Sequence, residues 1–237
     1  MFVNIIPDQI MFIQHYEMNT VGQDFAVGDI HGHFDMLEVN LHAIGFNPNK
    51  DRLFAAGDLI NRGPFSRQVT YYLEQPWFNS VMGNHEQGLL ENTLGQYSDP
   101  SFARNGGSWF IGLKREEKES IAREIEKLPL GIQVETVKGL VGIVHAEVMK
   151  DDWSYFVQQA SEIKSPQDHR RIASTALHSR DRVRTLRNNR VEGIEHVFVG
   201  HTPHEQIRTL GNVSYIDGGT YKPNGKLNII PLTQFGT

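Results

Sequence analysis

The chain alternates short apolar runs with amphipathic stretches, and the change of period marks its elements. "DFAVG" (24–28) is a compact apolar run closed by glycine, which predicts a short buried strand. Phe34, Met36, Leu37, Leu41 and Ile44 follow at helical spacing and stop at Gly45, which predicts a helix and its end. "RLFAAG" (52–57) predicts a second strand, and Ser66 to Glu74 a helix after it. "NSVMG" (79–83) predicts a third strand and "HEQGLLENTL" a third helix. Strand, loop and helix three times over indicate an α/β arrangement with parallel strands.

The second half reads differently. A charged helix is predicted from about Lys114 to Lys127, its exposed face carrying intrahelical pairs. "GIQVETVKGLVGIVHAEV" holds two apolar runs separated by Lys138-Gly139, the pattern of a β-hairpin. A mostly helical stretch (about 153–187) leads to three more strand candidates, "EHVFVGH", "NVSYIDGG" and "LNIIPL". Strands in both halves predict two sheets packed face to face with helices outside. Residues 1–23 read as an irregular or strand-like N-terminal extension, and residues 24–237 as a single catalytic domain. The extension has no basic n-region and contains Pro7 and Asp8, so it does not read as a signal peptide. No apolar run is long enough to span a bilayer.

Composition narrows the chemistry. At 39% hydrophobic and 22% charged residues over 237 positions, the chain suits a globular protein and not a disordered one. A net charge of −5 gives no bias toward nucleic acid or an anionic membrane. The absence of cysteine excludes disulfides, thiolate zinc sites and cysteine nucleophiles, and fits a cytoplasmic protein. The eleven histidines make the placement of each one the next question.

Five of the predicted strands end in the same way. "VGDIHGH" sets Asp29 and His31 just past the first, "AAGDLINRG" sets Asp58 past the second, and "VMGNHE" sets Asn84 and His85 past the third. "GIVHAE" and "VFVGHTPH" set His145 and His201 at the ends of later strands. In open α/β sheets, ligands gather outside the carboxyl ends of the strands. A single Asp after Gly is commonly a turn residue, and Asn84 alone could be a helix cap. Two carboxylates, three imidazoles and an amide at five strand ends are not explained by turns. The mixed O/N set suits Mn, Fe, Zn or Ni over Ca. Six donors exceed the needs of one zinc and match two ions that share a carboxylate, a recurrent device for phosphoryl displacement.

The motifs "GDIHG", "GDLINRG", "GNHEQ", "VHAE" and "GHTP" resemble those of the PPP phosphoprotein phosphatases among the calcineurin-like metallophosphoesterases. "GFNPNKDRLFAAGD", "PWFNSVMGNHEQ", "RNGGSWF" and "LPLGI" bring the chain nearest to the phage-lambda-type serine/threonine protein phosphatases. The resemblance runs from about Phe25 to Pro231. It implies two packed mixed β-sheets flanked by helices, and two divalent ions, Mn²⁺ first with Fe, Zn or Ni as alternatives. It places Asp29 and His31 on one ion, Asp58 between both, and Asn84, His145 and His201 on the other. It implies hydrolysis of phosphomonoesters, on phosphoserine and phosphothreonine proteins and small aryl phosphates, by a metal-bridging hydroxide. His85 would protonate the leaving oxygen, and Arg62 would grip two phosphate oxygens with a second arginine, Arg180 in preference to Arg182. A phosphorylated protein or small phosphoester is thus the expected partner.

One position departs from the pattern. The family carries Asp where this chain has Asn61, and that Asp pairs with the general-acid histidine. An amide raises imidazole basicity less than a carboxylate does, so His85 is expected to be less basic here. The substitution also keeps open a symmetrical diadenosine tetraphosphate hydrolase or a phosphodiesterase. A non-catalytic phospholigand scaffold would show lost ligands, and all six are present. His33 is expected to lie behind the site or in solvent, and His204 at a rim or on the surface. His15, His42, His169, His178 and His196 are expected not to be ligands. Trp109 is expected to pack, and Gly106 and Gly107 to form a close turn.

Overall fold

The computed structural model describes residues 12–93, 100–163 and 165–235. The first three predicted strands form as β2 (Asp24–Val27), β3 (Arg52–Ala55) and β4 (Phe78–Ser80), all parallel. Helix α1 (Phe34–Ala43) follows β2, and α3 (Asn84–Thr93) follows β4; the predicted end of the latter, Leu94, lies outside the described residues. Between β3 and β4 the predicted Ser66–Glu74 helix divides. Ser66–Gln68 is a tight 3-10 turn, and it runs into helix α2 (Val69–Leu73). β10 (Ile229–Pro231) adds antiparallel to β2 and completes a four-stranded sheet, with Pro231 on its edge where no ladder bond is lost.

The second sheet has six strands. β5 (Gly131–Thr136) and β6 (Gly139–Val144) form the predicted hairpin, and Gly139 (φ 116°) takes the turn. β7 (His196–Val199) and β9 (Val213–Tyr215) continue parallel to β6. β8 (Arg208–Leu210), which no pattern in the sequence predicts, is a three-residue strand hairpinned onto β9 at the outer edge. The other edge is β1 (Ile13–Tyr16), parallel to β5. The strand-like part of the N-terminal segment is thus built into the sheet, where Tyr16 Oη donates to Asn79 Oδ1 at 2.7 Å. Residues 1–11 lie outside the described residues.

The two sheets face each other across an apolar layer that includes Phe54, Val81, Ile132, Val141, Ile143, Phe198 and Ile216. A second layer, with Phe34, Leu37, Tyr72 and Ile125, joins the smaller sheet to its helices. A third, with Trp153, Phe156 and Ile172, joins the larger sheet to the helices Trp153–Ser161 and Pro166–Ala173. Both sheets are buried on both faces, which is why their strands read as continuous apolar runs. The strands β2, β3, β4, β6, β7 and β9 all end on one side of the sandwich. Among the described residues no helix is long and apolar enough to cross a membrane.

Candidate active site

Register brings the strand ends together. Val144 pairs with Val199, and Val199 with Tyr215, so His145, Gly200 and Ile216 stand level at the end of the large sheet. The small sheet answers with Asp29, Asp58 and Asn84. The ends then lock to each other. His201 N donates to both Asp29 carboxylate oxygens at 3.1 Å, and His145 Nδ1 lies 2.7 Å from the Ala56 carbonyl oxygen. Gly200 makes this approach possible, since a Cβ there would stand 2.0 Å from Asp29 Oδ1. Non-glycine residues in the left-handed region gather here: His31, Asp58, Asn61, Arg62 and His201 are five of the eight among the described residues.

The six expected ligands converge around Asp58. His31 Nε2 is 3.6 Å from Asp58 Oδ2 and 3.9 Å from Asp29 Oδ2. His145 Nε2 is 3.4 Å from Asp58 Oδ1 and 3.0 Å from Asn84 Oδ1, which also lies 2.9 Å from His201 Nδ1. Two metal-sized groups result, His31 with Asp58 and His85, and Asp58 with His145 and His201. Asp58 is common to both. His85 enters the first group beside His31, with its Nε2 3.8 Å from Asp58 Oδ2.

The hydrogen bonds fix how these imidazoles face. His31 Nδ1, His145 Nδ1 and His201 Nε2 each point at a backbone carbonyl, of Ile60, Ala56 and His178. A carbonyl only accepts, so those nitrogens carry the hydrogens and the opposite nitrogens present lone pairs. The lone pairs face Asp58 and the amide oxygen of Asn84. At His145 and His201 acceptor meets acceptor in a buried place, with no hydrogen between them, while the His31 lone pair also faces an Arg62 N–H. A cation resolves that opposition, and carbonyl-fixed histidines beside a carboxylate are the usual support of metal ligands. The donor set fits a pair of divalent ions.

The electrostatics point the same way. Burial pushes His31 and His201 down to about 3, so both rings are neutral near neutral pH and able to donate a lone pair. Burial also lowers His85. Burial opposes the charge on Asp58, but the imidazoles of His145, His85 and His31 outweigh it and hold Asp58 below the carboxylate range. Asp29 is raised by burial and by the neighbouring charges of Asp217 and Asp58. Asp29, Asp58, Glu86 and Asp217 are all buried, a concentration of carboxyl groups suited to cations.

Of the other expected residues, Arg62 is exposed above the site, with Nη1 3.0 Å from His31 Nε2 and its guanidinium 4.0 Å over the Tyr221 ring. Arg180 Nη2 donates to the His201 carbonyl at 3.1 Å, which brings it to the centre. Arg182 is buried elsewhere, bound to Asp151 at 2.6 Å and to three backbone carbonyls. His178 and His204 come near through backbone: the His178 carbonyl accepts from His201, and His204 N donates to the Asp217 carbonyl. His196 pairs with Ser214 in the large sheet. His33 lies beside Gly63. Gly106 sits where a Cβ would meet Arg62 N at 2.3 Å, the close turn expected there.

Three contributors were not read from the sequence. Glu86, fully buried, accepts from the backbone N–H groups of Asp58, Leu59, Ile60 and Gly83 and so holds two ligand loops together. Its signal was the acidic residue following His85. Thr220 Oγ1 donates to the carbonyls of Asp29 and Ile30 and ties the 217–221 loop to the first ligand loop. Trp109, expected only to pack, does lie against the apolar layer, but its indole Nε1 also donates to Asn61 Oδ1 at 2.8 Å.

Comparison with known proteins gives the same answer by an independent route. The serine/threonine-protein phosphatase 2 of Escherichia coli (strain K12) is 32% identical over 215 residues, 88% of this chain and 92% of that protein. A symmetrical bis(5'-nucleosyl)-tetraphosphatase of Actinobacillus pleuropneumoniae serotype 3 (strain JL03) is 38% identical, but over 73 residues only, 30% of this chain and 27% of that protein. Among solved structures, a putative diadenosine tetraphosphatase superposes with a TM-score of 0.59 at 22% identity, covering 93% of this chain and 98% of that one, which speaks to the fold. The calcineurin-like phosphoesterase model matches residues 25–220, a span that begins in β2 and closes at the Thr220 tie to the first ligand loop. With convergent strand ends, long relatives and family model in agreement, the chain belongs to the calcineurin-like phosphoesterases, with serine/threonine protein phosphatases among its relatives.

Proposed function

We propose that the chain is a phosphoric monoester hydrolase that uses two divalent ions, Mn²⁺ foremost, and acts on phosphoserine and phosphothreonine in proteins and on small aryl phosphates. One observation carries the metal part of this reading: three buried imidazoles turn lone pairs toward the oxygens of Asp58 and Asn84. In the proposed assignment Asp29, His31 and Asp58 hold one ion, and Asp58, Asn84, His145 and His201 hold the other. Such a pair, when bound, supplies a water of lowered pKa and offsets charge on the phosphoryl oxygens.

The side chains of this chain do the rest. Arg62 and Arg180 approach the centre from different loops, and two guanidinium forks can fix the phosphoryl oxygens in one orientation. His85 stands beside Asp58 without a carbonyl on its ring, which leaves its Nε2 to face the departing oxygen. The ligand side chains Asp29, His31, Asp58, His145 and His201 are buried, while Arg62 lies exposed where an ester can reach it.

The relative matched over most of its length is a protein phosphatase, which favours the monoester reading. Asn61, together with the shorter tetraphosphatase match, favours symmetrical cleavage of dinucleoside tetraphosphates as the second reading. A panel of p-nitrophenyl phosphate, its bis-ester, a phosphopeptide and diadenosine tetraphosphate, each with Mn²⁺ and with EDTA, separates them. The expected result is metal-dependent turnover of the monoester and phosphopeptide. Turnover of the dinucleotide far above the phosphopeptide would replace the first reading with the second.

A further inference from the structure

We propose that Trp109 is a positioning residue that decides which ring nitrogen of His85 carries the hydrogen. The inference rests on the reading above only in taking His85 to face the substrate. Asn61 is fully buried and held at both ends of its amide. Trp109 Nε1 donates to Asn61 Oδ1 at 2.8 Å, and Asn61 Nδ2 lies 2.9 Å from His85 Nδ1.

An indole N–H can only donate. The amide oxygen must therefore face Trp109, and the amide nitrogen, also a donor, is left for His85. The neutral ring meets a donor with a bare Nδ1, and its hydrogen then sits on Nε2. Both alternatives bury two donors head to head. Rotating the amide sets its NH₂ against the indole, and moving the ring hydrogen to Nδ1 sets it against the amide. Opposition of that kind biases the ring by about 5- to 150-fold toward the Nε2 hydrogen. A carboxylate at position 61 would impose the opposite choice, because one oxygen could take the indole and the other an Nδ1 hydrogen. The pairing of Asn61 with Trp109 thus reverses the direction of the hydrogen bond that a carboxylate would receive from His85.

The surroundings keep the amide from drifting. Asn61 N donates to Ser66 Oγ at 2.9 Å, and Asn61 itself sits at φ 71°. The segment that carries Trp109 closes on the next residue, where Gly106 packs against Arg62 N. The hydrogen on Nε2 is therefore a fixed donor aimed at the space beside Asp58.

The test is ¹⁵N NMR of histidine-labelled protein at about pH 8, where an ordinary imidazole is neutral, both metal-free and with diamagnetic Zn²⁺. The His85 signals are those lost in His85→Gln. The parent is expected to show a bare Nδ1 and a protonated Nε2. In Asn61→Asp the hydrogen should move to Nδ1. In Trp109→Phe, which keeps the ring volume and removes the N–H, the two forms should become comparably populated. A parent ring with its hydrogen on Nδ1 overturns the proposal, as does an unchanged balance in Trp109→Phe. If Trp109→Phe does not fold, the parent spectrum decides alone. The readout is a nitrogen shift and not turnover, so its failure leaves the hydrolase reading standing.

Discussion

Glu86→Gln tests the most tightly determined group in the site. Glu86 Oε2 accepts from Asp58 N at 2.8 Å and Gly83 N at 2.9 Å, and Oε1 from Leu59 N at 2.9 Å and Ile60 N at 3.3 Å. Burial pushes this carboxyl up to about 8 and the Asp58 charge pushes the same way, while the backbone N–H groups of Gly83, Asp58 and Ile60 pull it down. Four donors leave no room for a hydrogen on either oxygen, so the ionised form is the one this geometry serves. Glutamine replaces one oxygen by an NH₂ that opposes two backbone N–H groups. Each stranded donor costs about 1–3 kcal/mol, so the variant should lose roughly 2–6 kcal/mol. That is a large share of a total stability of about 5–15 kcal/mol. At about 2–4 °C per kcal/mol for a chain of this size, Tm should fall by roughly 4–24 °C in a calorimetric scan of metal-free protein. A fall under about 2 °C would refute the reasoning, because glutamine mimics a protonated acid and would then be nearly neutral. The same outcome carries a pH signature. A carboxyl whose folded value is raised stabilises below its unfolded value, and that contribution would be lost as pH rises through about 8.

Other outcomes follow from the same geometry. Asp58→Asn should lose bound metal and activity together, measured by elemental analysis and p-nitrophenyl phosphate turnover. His85→Asn should retain both ions and lose about 10²–10⁴-fold in kcat, the usual size of acid–base catalysis; recovery of metal-free protein from it would mark His85 as a ligand. Burial lowers His85, so its protonated form, if required, disappears at lower pH than for an ordinary histidine. Asn61→Asp should shift the alkaline limb of the kcat profile upward, and an unmoved limb counts against this. Metal-free protein should also be acid-sensitive. Burial holds His31 and His201 at about 3 and His196 at about 4, below the unfolded value, so the unfolded chain binds protons first as pH falls. Stability is intact above pH about 6.5 and declines toward pH about 3, by up to about 1.4 kcal/mol per unit for each ring. A urea midpoint that stays flat between pH about 7 and 5 would exclude the effect.

What the sequence made legible follows from what is local. Each ligand stands within four residues of a strand end, and most of these strands lie in apolar runs, so Asp29, Asp58, Asn84, His145 and His201 could be read one loop at a time. β8 escaped because three residues, Arg208, Thr209 and Leu210, carry too short a pattern, and their partner lies across a turn at Gly211-Asn212. The choice between Arg180 and Arg182 could not come from periodicity either. It is decided by Asp151 and the carbonyls of Arg187, Asn189 and Leu210 that claim Arg182.

The partners of the site were the least legible, for a physical reason. Glu86, Thr220 and Trp109 act through hydrogen bonds to backbone or amide groups 26–28, 190–191 and 48 residues away, and for Glu86 through one to Gly83 N, three residues away, as well. No local period records such a bond. Trp109 makes the point most sharply: by composition it is an apolar side chain in an apolar layer, and it fills that role. Only the position of one indole hydrogen against Asn61 gives it a second. The substitution at position 61 therefore cannot be judged alone. Asn61 with a donor at its oxygen turns its NH₂ to His85, whereas Asn61 without that donor could turn either end. The state of the histidine beside the ligands is thus set by a pair of residues, one inside the recognisable motif and one far outside it.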